Sequence, residues 1–100
     1  VLTKDKIVEI LKENHPYLAA NFGVSKIGLF GSYAKGQPEE TSDIDLVVEF
    51  QHPIGFRFFE LVDYLENLFG HKVDLLTPAG LQNIRRERVA KSISESIIYV

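Results

Sequence analysis

Residues Phe30 to Phe50 read FGSYAKGQPEETSDIDLVVEF, and the two ends of this stretch decide the fold. At one end, Gly31-Ser32 closes the apolar run Ile27-Gly28-Leu29-Phe30. At the other, Asp43-Ile44-Asp45 heads a second run, Leu46-Val47-Val48. Both runs predict strands. Side chains on a strand alternate between faces, so Asp43 and Asp45 project from the same one. Two carboxylates held side by side repel unless a proton or a cation lies between them. Hard divalent cations with oxygen ligands, Mg²⁺ above all, answer that need and commonly arrive with substrate phosphates. Gly31 permits a tight turn, and Ser32 is expected to cap the following helical turn and offer N–H groups to a phosphate. Alone, Asp-x-Asp is common at solvated strand ends and Gly-Ser is an ordinary turn. Spaced by residues 33–42, they point together to a nucleoside-triphosphate site.

Composition narrows the setting. The chain has 100 residues, 45% hydrophobic and 25% charged, as expected of a globular protein. That length predicts one domain, residues 1–100, with a single modest core. The net charge of −3 argues against an extensive nucleic-acid surface. The absence of Cys excludes a disulfide framework, a thiolate metal site and a Cys nucleophile. No apolar run approaches the ~18–20 residues that span a bilayer. No signal peptide is visible, so the expected location is cytoplasmic.

Along the chain, Thr3 is a predicted N-cap for a helix from Lys4 to Asn14, with Ile7, Ile10 and Leu11 on one face. His15-Pro16 is expected to interrupt it, because the residue before Pro avoids the α region. Pro16 then starts a second piece, Tyr17 to Phe22, ended by Gly23. Lys26 to Phe30 is the first strand, where Gly28 permits close backbone approach. Asp43 to Phe50 is the second. Tyr33 and Ala34 are expected to pack. Lys35 is either a solvated helix-end residue or a compact positive charge for the triphosphate.

Arg57 to Phe69 predicts an amphipathic helix through Phe58, Leu61, Leu65 and Leu68 or Phe69, closed by Gly70. Val73-Asp74-Leu75-Leu76 is the third strand. An Asp between Val and Leu in a buried strand is costly unless paired; an edge-strand Asp facing water is the less favoured alternative. Thr77-Pro78 opens a last helix with Leu81, Ile84, Val89 and Ile93 inward and Arg85, Arg86, Arg88 and Lys91 as a basic outer face. Ser96 to Val100 is expected to be a short strand.

GSYAKG followed by SDIDLVV resembles the Gly-Ser, ten-residue spacer, Asp-x-Asp signature of the DNA polymerase beta nucleotidyltransferase superfamily. The small size is similar to its minimal nucleotidyltransferase (MNT) branch, the antitoxin partners of HEPN-domain toxins, and VDLLTP with the last helix also fits. The resemblance implies an α/β (α+β) nucleotidyltransferase fold, a small mixed sheet of three or four strands with helices packed against it. It implies a Mg²⁺-dependent transferase with two ions ~3.5–4 Å apart. Asp43, Asp45 and Asp74 would be catalytic and metal-holding, with Asp74 as general base or hydroxyl orienter. Gly31, Ser32 and Lys35 would bind the nucleotide. Lys35 stands where the family pattern more often has Arg, keeping the charge without the bidentate fork.

ATP is the implied substrate. The implied acceptor is a Tyr of a helical HEPN ribonuclease toxin, neutralised by AMPylation. Docking surfaces are expected at the basic face Arg85–Lys91 and at the aromatics from Pro53 to Phe59. Two readings remain beside it: a non-catalytic antitoxin acting by occlusion, and a small-molecule nucleotidyltransferase working with a separate helical subunit. Oligomerisation stays open.

Overall fold

The structure, a computed structural model, describes residues 2–36, 38, 42–83 and 97–100, with backbone only at 81–83. The basic positions Arg85, Arg86, Arg88 and Lys91 and the apolar positions Ile84, Val89 and Ile93 lie outside these residues, as does Ser96.

Helix α1 spans Lys4–Phe22. Thr3 is extended, and its hydroxyl accepts from the Lys6 backbone N–H at 3.2 Å, the expected cap. The predicted break at His15-Pro16 does not occur: Pro16 lies inside a continuous helix. A Pro interior to a helix forfeits one hydrogen bond and crowds the preceding turn. Here packing overrides it, because Leu18 and Phe22 beyond the Pro are buried with Ile7 and Leu11 before it. Gly23 ends the helix at φ 69°, its N–H returning to the Ala19 carbonyl.

Four strands follow the expected runs, three of them with shifted edges. Strand β1 is Val24–Phe30, two residues longer than predicted, and β2 is Ile44–Phe50, leaving Asp43 just ahead of it. Between them lies the one-turn helix α2, Gly31–Ala34. Helix α3 (Arg57–Phe69) and strand β3 (Val73–Leu76) stand as predicted, with Gly70 at φ 64°. Helix α4 covers Pro78–Asn83, and Thr77 Oγ1 accepts from the Gly80 N–H at 3.1 Å. Strand β4 is Ile98–Tyr99.

The sheet order is β3-β2-β1-β4. β1 runs antiparallel to β2 and β4, while β2 and β3 are parallel. Parallel neighbours need a crossover, which α3 supplies. The fold is therefore the mixed α/β sheet that the resemblance implies. Ile27, Leu29, Ile44, Leu46, Val48, Val73 and Leu75 share one sheet face and bury against α1 and α3. The opposite face carries a second, smaller cluster of Phe30 and Val47 with Leu76 and Ile97. Gly28 acts as predicted: a Cβ there would lie 2.7 Å from Ile97 Cγ2 and 3.0 Å from Tyr99 Cδ1, so its absence lets β4 close on the sheet. Among the described residues no helix is long and apolar enough to cross a membrane.

Candidate active site

Period two places Asp45 and Val47 on the second face of the sheet, away from the main core. Register then gathers the chemistry around Asp45. Its partner across β1 is Phe30 and its partner on β3 is Asp74. Directly paired residues point to the same side, so Asp45 and Asp74 stand together. Asp43, exposed just before β2, completes the acidic group.

Gly31 is built into this site twice over. It takes φ 76°, a conformation favouring glycine, at the junction where β1 turns into α2. A Cβ at Gly31 would also overlap Asp45 Oδ2 and come within 2.9 Å of its Cγ. The Asp45 carboxylate thus lies against the glycine Cα, a contact that a sequence motif cannot show. The turn is completed at Gly31, so the helix begins at once. Phe30 takes the cap position, with no side-chain cap bond. The expectation that Ser32 caps the helix is therefore corrected. Ser32 stands inside the first turn, where backbone N–H groups have no intrahelical acceptor.

The acidic group is electrostatically loaded. Burial against the sheet, then the neighbouring carboxylates of Asp74 and Asp43, push Asp45 from an ordinary 3.8 up to about 6. Phe30 and Val47, both buried, supply the apolar surroundings. Asp74 itself is exposed, because β3 is an edge strand with Val73 and Leu75 turned inward. The preference for a buried Asp74 is thus corrected, although the pairing that it was meant to satisfy is present. Among the described residues, no group of three or more His, Cys, Asp or Glu side chains converges on a metal-sized point. A half-site of one or two carboxylates does fit Mg²⁺, which usually completes its shell with water and substrate phosphate. A cation beside Asp45 would offset the burial and the carboxylate repulsion that together raise it.

Lys35 is exposed at the C-terminal end of α2. Among the described residues the ion pairs are Lys6–Glu9 and Arg57–Glu60, so Lys35 touches none of the three carboxylates. Tyr33 packs in the core as expected. Its hydroxyl, however, lies 3.3 Å from His71 Nε2, a link across 38 positions that no local pattern discloses.

A turn that cradles a strand carboxylate thus lies beside a second strand carboxylate at the same register position. The sequence profile of the nucleotidyltransferase domain matches residues 4–100, and the chain belongs to that family. The "Protein adenylyltransferase MntA" of Thermococcus cleftensis is 39% identical, over 100% of this chain and 98% of its own. A solved structure described as a "putative minimal nucleotidyltransferase" superposes at TM-score 0.72 with 26% identity, covering 97% of this chain and 95% of that one. A mutant of the MntA-HpeT toxin-antitoxin shares the fold at TM-score 0.59 and 24% identity, covering 100% of this chain and 72% of that one.

Proposed function

We propose that this chain moves AMP from ATP onto a hydroxyl of a partner protein, and that it serves as the antitoxin of a helical HEPN-type ribonuclease toxin. The observation that carries the proposal is the pairing of Asp45 with Asp74 at one register position, with the Asp45 carboxylate seated on Gly31. The name of the Thermococcus relative supports adenylyl transfer to protein, and the shared toxin–antitoxin fold supports the partner.

The roles follow from the placement. Backbone N–H groups of the Gly31-Ser32 turn hold the β- and γ-phosphates, with the Ser32 hydroxyl as a further donor. Lys35 adds a mobile positive charge at the outer end of the same turn. Asp43 and Asp45 would hold Mg²⁺, which when bound would supply positive charge to offset that of the triphosphate. Asp74, on the exposed edge strand, accepts the proton of the incoming hydroxyl or orients it. The acceptor oxygen forms its bond to the α-phosphorus as the bond to the bridging oxygen breaks, and pyrophosphate leaves. An exposed Asp74 suits an acceptor that arrives as a folded protein surface.

Calorimetric titration with Mg²⁺-ATP tests the site. Wild type is expected to bind, and the double variant Asp43→Asn/Asp45→Asn to lose more than about tenfold in affinity while remaining folded. Unaltered binding in the folded double variant would remove these residues from the site.

A further inference from the structure

We infer that Tyr33 and His71 form a clamp that fixes the spacing between the two halves of the site, so that the phosphate turn and the carboxylates engage one Mg²⁺-ATP together. This rests on the nucleotidyltransferase reading and extends it to two residues outside the motif.

Tyr33 stands two positions beyond Gly31 and is 6% exposed. Its ring meets His71 edge-on, with centroids 5.8 Å apart and planes at 82°. The other ring nitrogen of His71, Nδ1, lies 3.0 Å from the Lys72 carbonyl. A carbonyl only accepts, so Nδ1 carries a hydrogen, and in the singly protonated ring this tautomer leaves Nε2 as an acceptor. That nitrogen accepts from the Tyr33 hydroxyl at 3.3 Å. The same Lys72 carbonyl also accepts the backbone N–H of Ile44 at 3.0 Å, and Ile44 separates Asp43 from Asp45.

An unbroken series of bonds therefore joins the two halves: Tyr33 O–H to His71, His71 N–H to the Lys72 carbonyl, and Ile44 N–H to that same carbonyl. The loop is anchored from below, since the Val73 N–H donates to Glu66 Oε2 at 3.1 Å. Helix α2 is a single turn without a side-chain cap, too short to hold its own direction. Phe would fill the core at position 33 equally well. What the hydroxyl adds is a fixed link to the strand that carries Asp74. Tyr33 and His71 are positioning residues and touch no substrate.

Two measurements test the clamp. In the ligand-free protein, ¹⁵N NMR of the imidazole is expected to show His71 protonated at Nδ1 and bare at Nε2; the opposite tautomer overturns the clamp. In binding, Tyr33→Phe and His71→Leu are each expected to weaken Mg²⁺-ATP about tenfold, the worth of one hydrogen bond. The double variant is expected to lose no more than either alone. Mn²⁺ without nucleotide, which needs only the carboxylate half, is expected to bind all variants as it binds wild type. Variants that bind Mg²⁺-ATP like wild type overturn the clamp while leaving the site reading intact. A parallel loss of Mn²⁺ binding also overturns it, by making the pair a general support of the fold. Wild type that binds no Mg²⁺-ATP at all refutes the site reading and the clamp together.

Discussion

Asp45 is where the fold and the chemistry pull against each other. The folded protein holds its carboxyl proton up to about 6, against an ordinary 3.8, so ionisation of this group opposes folding. Its unfavourable contribution is absent below about pH 4, grows as pH rises through that interval, and is complete above it. Asp45→Asn is therefore expected to raise the melting temperature in metal-free buffer at pH 7.5, with the gain vanishing near pH 4. A difference that does not vary with pH would contradict the electrostatic account of this residue. The Asp-x-Asp pair was legible in the sequence as two neighbouring carboxylates, but strand periodicity places only Asp45, because β2 begins at Ile44 and Asp43 acts on Asp45 from just ahead of it. The seat of Asp45 on Gly31 was not legible, since it depends on the register that sets Phe30 opposite Asp45. The link from Tyr33 to His71 was hidden for the same reason. Ser32 was misread as a cap because the motif does not say at which residue the turn ends.

Whole elements were legible where local signals and packing agree. Helix α3 combines recurring apolar positions with Gly70 at its end, and Leu61, Leu65 and Phe69 are buried accordingly. Strand β3 was found at its true limits, although its edge position was not, because strand order is a property of the assembled sheet. Helix α1 shows the opposite case, a local rule defeated by tertiary burial. Pro16 forgoes a hydrogen bond to the carbonyl one turn earlier, at a typical helix-interior cost of ~3 kcal/mol. Its restriction of the unfolded chain returns ~0.4–1 kcal/mol. Pro16, exposed on α1, is thus replaceable. Pro16→Ala is expected to stabilise the protein by about 2 kcal/mol in urea denaturation. A loss of stability would mean that the core is fitted to the distortion that Pro16 imposes.

At the scale of the molecule, the sheet separates two surfaces that the sequence presented as neighbours in purpose. The carboxylates cluster where β2 begins. The exposed Phe56 and Phe59, 89% and 67% accessible, follow its far end, at the start of α3. At about 3.3 Å per residue, strand β2 sets the two regions roughly 20 Å apart. A protein partner that uses both must wrap along the length of the sheet, and one that uses only the carboxylate end must meet the exposed edge at Asp74. On the proposed reading the acceptor is a protein surface, and the solvent-facing Asp74 is in keeping with that. The measurement that tests this most directly is the intact mass of a helical toxin partner after incubation with this protein and Mg²⁺-ATP. A gain of about 329 Da per transferred AMP, abolished by Asp43→Asn, is the expected result of nucleotidyl transfer at this site. Neutralisation of the toxin with no change in mass, undiminished by Asp43→Asn, would contradict it and leave occlusion as the mode of action.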